Sequence, residues 1–386
     1  MMRKNIPLSV PNLSGNELKY VEEAIKSEWV SSAGPHINRF EENIAKYVNS
    51  KGAVACQNGT SGLHIALMVC GITKEVEVIV PTLTFIATVN PVKYIGAEPI
   101  FMDCDDSLTI DVDKLSEFCE TKCVFKDGVL INKQTKKSIK AIIVVHIFGN
   151  MADMEKIMDL AKKYNLILIE DATEALGTYY TNGKFKGCYA GTIGDIGVYS
   201  FNGNKIITTG GGGMIVSNNL HLLEKAKHLT TQAKSDELYY YHDEIGYNYR
   251  MTNLQAALGL AQLEQLEKFI EIKHTNYMLY KELLSESDAF EILDFKDNIR
   301  SNYWFYSLHI KTENIKRDEV IEHLKNANIQ SRPIWGLIHE QIPYKSSQTF
   351  KIEKAKAYND KVVNLPCSSN LTKEDVFYVV DQLKSM

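Results

Sequence analysis

Residues 139–171 read IKAIIVVHIFGNMADMEKIMDLAKKYNLILIED: a β-branched apolar run, a helical stretch over Met151–Tyr164, and a second apolar run ending on two acids. A run this continuously apolar belongs to a strand covered on both faces, and a helix between two such runs lets them lie parallel. The same alternation continues on either side, in AVAC (53–56), VEVIV (76–80), PIFMDC (99–104), IGVYSF (196–201) and MIVS (214–217). With the first two these make seven runs, and helical segments separate most of them. The predicted fold class is α/β, a large domain built on a mainly parallel seven-stranded sheet.

Flanking segments fill in the layout. Ser14-Gly-Asn-Glu17 has the capping-box pattern ahead of Leu18, Val21, Ala24 and Ile25 at helical spacing. Between Cys119 and Ile139, the Asp127-Gly128 pair separates two β-prone runs and predicts a hairpin inserted over about 119–139. After Arg250 the apolar positions Leu254, Ala257, Leu258, Ala261, Leu263 and Leu266 predict one long helix running towards residue 285. The large domain is therefore expected over 1–255, with its N-terminal helical segment, and a smaller α+β domain over 256–386.

Composition narrows the function. Of 386 residues, 45% are hydrophobic and 24% charged, as in a globular protein with a sizeable core. A net charge of −5 gives no electrostatic reason to expect a nucleic-acid partner, and the basic stretch Lys133–Lys140 reads as a solvated turn. No apolar run has the length of a membrane span, and MMRKNIPLSVPNLSG lacks the apolar core of a signal peptide, so a cytoplasmic location is expected. The seven cysteines have no CxxC pairing and read as free thiols of a reducing compartment, with no metal site.

Three segments carry chemistry. Ser200-Phe-Asn-Gly-Asn-Lys205 follows a strand and precedes four glycines, Gly210 to Gly213. A lysine held there partly desolvated becomes a nucleophile able to form an imine with an aldehyde, and the glycines would let backbone approach a ligand. Asp171 ends its strand at the carboxyl edge of the sheet, where ligands collect, and a carboxylate there can keep a pyridine nitrogen protonated. Glu170 should point to the opposite face. Asn58-Gly-Thr-Ser-Gly-Leu-His64 opens a helix after a strand and offers backbone N–H groups to a phosphate. Phe85, in Pro81-Thr-Leu-Thr-Phe85, follows the next strand and could stack on a flat ring.

Taken in order, NGTSGLH, VPTLTFIAT, VVHIFGNMADM, IEDATEALG, SFNGNK with its glycines, and Tyr247-Asn-Tyr-Arg-Met resemble the DegT/DnrJ/EryC1/StrS aminotransferases over essentially the whole chain. The resemblance implies a fold-type I enzyme dependent on pyridoxal 5'-phosphate, with pyridoxamine 5'-phosphate as its alternate form. It implies that Lys205 carries the cofactor, Asp171 pairs with the pyridine nitrogen and Phe85 stacks on the ring. Gly59, Thr60, Ser61 and Ser200 would bind the phosphate, and Asn248 would reach the phosphate of the neighbouring subunit, making a homodimer with shared active sites. Glu174 stands where many relatives carry Gln or His near the cofactor hydroxyl.

The opening segment, Glu28–Gly34 and the 119–139 insertion are similar to the LegC branch of legionaminic acid biosynthesis. That likeness implies a nucleotide-linked 4-keto-6-deoxy-N-acetylhexosamine as acceptor and L-glutamate as donor. Trp29, Ser31 and Ser32 would then line the sugar pocket, and Arg332 and His339 would meet the nucleotide or the donor carboxylate. Pseudaminic-acid, perosamine and 3-keto-sugar precursors are alternative acceptors. A sugar dehydratase is disfavoured by Lys205, a Rossmann oxidoreductase by the absence of GxGxxG in QNGTSG, and a non-catalytic regulator on this fold is the remaining rival.

Overall fold

The computed structural model describes residues 5–236 and 238–386. The seven apolar runs form strands Gly52–Cys56 (β1), Val76–Pro81 (β2), Glu98–Met102 (β3), Ser138–Val145 (β4), Ile167–Asp171 (β5), Ile196–Ser200 (β6) and Gly213–Ser217 (β7). They lie in the order β1-β7-β6-β5-β4-β2-β3, continued past β3 by Gln348–Phe350 (β8). Pairing is parallel from β6 to β8 and antiparallel on both sides of β7.

The sheet has ten strands, not seven. Two of the extra three are the hairpin, Cys123–Lys126 and Val129–Asn132, whose second strand pairs with β4. Asp127 and Gly128 supply the positive φ values, 52° and 77°, that such a tight turn requires. Residues 119–122 instead finish the preceding helix, Val112–Lys122. The third addition is β8, contributed by the C-terminal part of the chain, where no apolar run signals it.

Burial on both faces explains why these strands lack polar alternation. Val78 and Val80 pack into one hydrophobic cluster and Ile79 into another; Leu168 and Ile169 divide in the same way. The helix Gly59–Val69 adds Leu63, Ala66 and Leu67 to one cluster, and the helix Met154–Tyr164 adds Ile157, Leu160 and Ala161 to the other. Cys56, Cys104, Cys119, Cys123 and Cys367 are buried free thiols, while Cys70 and Cys188 are half-buried.

Two local readings are corrected. The first helix begins at Glu17 behind Asn16, not at a Ser14 cap. Glu17 is drawn inwards, accepting from Gly15 N–H and from Gln262, while the Asn16 amide turns away to Glu264. The single long helix is instead two, Asn253–Leu263 and Leu266–Leu284, separated by Glu264 and Gln265. The former packs on the helices Glu17–Lys26 and Pro35–Tyr47, the latter on Lys373–Lys384 and Phe290–Ile292. The C-terminal part is completed by an antiparallel sheet in the order Phe290–Ile292, Tyr306–Ile310, Val362–Leu365, Arg332–Pro333. Among the described residues, no helix is long and apolar enough to cross a membrane.

Candidate active site

The carboxyl ends of β4, β5 and β6 open into one cleft, lined there by Val145, Asp171 and Ser200. Gly59, Thr60, Phe85, Glu174 and Lys205 line the same space, about 240 Å³ in volume. Asp171 is buried, its Oδ2 accepting from the Thr88 hydroxyl at 2.7 Å and its Oδ1 from Thr173 N–H at 3.1 Å. Glu170, next in the strand, faces away and accepts from the Gly191, Ile193 and Gly194 amides and from His146, as strand alternation predicts.

Lys205 sits in a turn closed by its own N–H on Asn202 O at 3.0 Å. Its ammonium lies 4.0 Å from the Trp304 ring centroid and 3.8 Å from Glu174 Oε1. Burial lowers the lysine pKa, against the pull of Glu174 and Asp171. Burial also pushes Glu174 up to about 7, although Lys205 and the Phe148 amide favour its ionised form. Phe148 N–H donates to Glu174 Oε2 at 2.8 Å from a left-handed conformation, φ 56°.

The helix Gly59–Val69 starts at the cleft. Its cap Asn58 accepts from Ser61 N–H, so Ser61 stands just behind the lining while Gly59 and Thr60 face the space. First-turn N–H groups have no partner within their helix and carry the positive end of its dipole. A Cβ on Gly59 would meet Thr173 Cγ2 at 3.0 Å and Ser200 Cβ at 3.1 Å, so any larger residue crowds this corner. None of Gly210–Gly213 lines the cleft, and Gly213 instead lets β7 touch the helix start, where a Cβ would fall 2.6 Å from the Asn58 carbonyl carbon.

The donor set fits pyridoxal phosphate: an amine at one wall, a carboxylate anchored by two donors at another, an exposed Phe85 face, and a helix start for the phosphate. The profile of the DegT/DnrJ/EryC1/StrS aminotransferase family matches residues 11–384. The chain belongs to this family. It is a pyridoxal-phosphate-dependent aminotransferase.

Among its relatives, GDP-perosamine synthase of Escherichia coli O157:H7 is 39% identical over 381 residues, 98% of each chain. UDP-4-amino-4,6-dideoxy-N-acetyl-beta-L-altrosamine transaminase of Campylobacter jejuni serotype O:23/36 is 30% identical over 385 residues, covering 99% and 97%. The crystal structure of a family member from Brucella abortus superposes with a TM-score of 0.86 at 27% identity, over 96% of this chain and 95% of that one.

Other sequence-predicted residues of the aminotransferase lie outside its own cleft. Asn248 is exposed and its backbone bridges Thr231, next to Tyr249, whose carbonyl accepts from Gln57 N–H beside the helix start. Ser31 and Ser32 are exposed, and the Trp29 and Ser31 carbonyls accept from Asn253. Arg332 is exposed, its backbone paired with Asn364, and His339 Nδ1 stands 2.6 Å from the Thr82 hydroxyl. Conversely, Thr88, Trp304 and Trp335 line the cleft without having been singled out. Thr88 stands three residues beyond Phe85, at the end of the same VPTLTFIAT segment. The two tryptophans arrive from the C-terminal part, where nothing local marks them.

Proposed function

We propose that this aminotransferase moves the amino group of L-glutamate onto a nucleotide-linked keto-sugar, as a cytoplasmic homodimer with shared active sites. The observation that carries the reading is the meeting of Lys205, Asp171, Phe85 and the Gly59–Thr60 helix start in one cleft. The nucleotide-sugar part is supported by the GDP- and UDP-linked names of the two relatives. The dimer rests on the family resemblance, in which the residue at the place of Asn248 serves the neighbouring subunit; Asn248 is exposed here and does not line the cleft of its own chain.

Each residue has a defined task. When bound, pyridoxal phosphate supplies an aldehyde that carries the amino group and an electron-poor ring that stabilises negative charge at the reacting carbon. Gly59, Thr60, Ser61 and Ser200 hold the phosphate at the helix start. Phe85 offers its face to the ring, and Asp171 holds a proton on the ring nitrogen. Lys205 Nζ would hold the cofactor and, when free, would be the base that takes the α-proton of glutamate and the acid that gives a proton back to the carbon on the far side of the transferred nitrogen. A buried amine with a lowered pKa suits both duties. The same steps in reverse deliver the amine to the sugar.

For the acceptor, the N-terminal segments and the hairpin support a 4-keto-6-deoxy-N-acetylhexosamine, aminated at carbon 4 for legionaminic acid or a related glycan. The identity with GDP-perosamine synthase favours a second reading, a GDP-linked keto-sugar. A panel of UDP- and GDP-linked keto-sugars with glutamate separates them: the preferred acceptor gains an amine, seen by mass and NMR. Cofactor-loaded protein that aminates none of the panel overturns the reading.

A further inference from the structure

We propose that Glu174 is a second proton-holding group of the reaction, taking the proton that Lys205 sheds when its amine turns from acid to base and handing it back afterwards. The proposal rests on the aminotransferase reading above and assigns Glu174 a task in proton movement instead of cofactor contact alone.

The two buried glutamates of this region are held in different ways. Glu170 is tied by three backbone amides and His146, as a structural strut would be. Glu174, 4% exposed, has one backbone donor, Phe148 N–H on Oε2, and its Oε1 is turned to the lysine at 3.8 Å. Among the described residues lining the cleft, Asp171, Glu174 and Lys205 are the only ionisable side chains. Asp171 is anchored by Thr88 and Thr173 and committed to the ring nitrogen, so Glu174 is the carboxylate left to exchange a proton with the lysine. The remaining groups packed on the pair are uncharged: the Trp304 ring beside the amine, and the Trp335 indole, whose buried Nε1–H is turned towards Glu174 outside hydrogen-bond geometry and favours its ionised form, against the larger effect of burial.

Charge balance favours the exchange. Two opposite charges buried together each lose hydration, and passing one proton across turns both neutral. One N–H bond of the ammonium breaks and one O–H bond forms on Glu174 Oε1, with no net uptake from solvent. Burial acts on both partners in this sense, lowering Lys205 and raising Glu174. The 3.8 Å separation is longer than a hydrogen bond, as catalytic pairs often are before their ligands arrive.

The test uses the enzyme in its pyridoxamine form, in which Lys205 is free. Infrared spectra across the neutral range should show a carboxylic-acid carbonyl band that fades as pH rises, is missing in Glu174→Gln and returns in Glu174→Asp. Glu174→Gln should also slow the isolated glutamate half-reaction by roughly 100-fold, the low end of an acid–base contribution, with a displaced pH profile. A band unchanged in Glu174→Gln, or a wild-type rate with an unmoved pH profile, overturns the proposal. Failure of the wild type to exchange amino groups with glutamate would refute the aminotransferase reading instead, while the band still decides whether Glu174 holds the proton.

Discussion

Removing one hydroxyl tests how Asp171 is held. Thr88 Oγ1 donates to Asp171 Oδ2 at 2.7 Å and stands 2.8 Å from Thr84 Oγ1, all of it buried. Thr88→Val keeps the shape and deletes the donor. A hydrogen bond to a charged acceptor contributes about 1.5–3 kcal/mol, so the cofactor-free protein should lose about 2–3 kcal/mol, the Thr84 hydroxyl keeping only its long contact with Phe85 O at 3.5 Å. Asp171 then keeps only the Thr173 amide, at 3.1 Å. A carboxylate anchored by one oxygen holds the ring nitrogen less firmly, and kcat should fall roughly tenfold, or ~1.4 kcal/mol in the barrier. Urea unfolding and steady-state rates measure the two effects. Thr84→Val, which breaks only the outer link, should cost about 1 kcal/mol, and Thr88→Ser should restore both readings. The reasoning is wrong if Thr88→Val matches the wild type, or if Thr84→Val costs as much.

Two other changes probe the phosphate corner and the support behind Trp304. In Gly59→Ala the new Cβ meets Thr173 and Ser200 at 3.0 and 3.1 Å; the crowding should cost about 1–2 kcal/mol and weaken pyridoxal-phosphate binding in a direct titration, and unaltered binding would remove the helix start from the site. Lys273 is buried with its ammonium on the Trp304 and Cys367 carbonyls, and burial lowers its pKa. The unfolded chain therefore binds that proton more readily, so this group's own contribution to stability should rise with pH between the lowered value and the ordinary 10.5, against the fall imposed by buried thiols such as Cys56 and Cys119, whose pKa burial raises. The melting temperature of the wild type should therefore gain on that of Lys273→Met as pH rises through this range; a constant difference between the two would contradict this.

How legible the fold was depended on how local its causes are. The seven runs were readable because strands covered on both faces must be continuously apolar, and the hairpin because Asp127-Gly128 has the chemistry its turn needs. Ser14-x-x-Glu17 misled because a distant residue, Gln262, captures the glutamate. The break at Glu264–Gln265 carries no Gly or Pro, so nothing local announces it; the Glu264 side chain there reaches back to Asn16 and Tyr20. At the site, Lys205, Asp171 and Gly59 lie just past strand ends and announce themselves. Trp304 and Trp335 do not, since their places are set by C-terminal strand pairing such as Tyr306 with Leu365 and Arg332 with Asn364.

The central claim is that one pyridoxal ring is held between the amine of Lys205 and the carboxylate of Asp171. Borohydride reduction of the loaded enzyme fixes the cofactor to whichever amine carries it, and peptide mass spectrometry then finds the site. A pyridoxyl group on Lys205 alone, with the cofactor's visible band lost in Lys205→Ala, is the predicted result. A label on another lysine, the buried Lys273 included, would contradict the account.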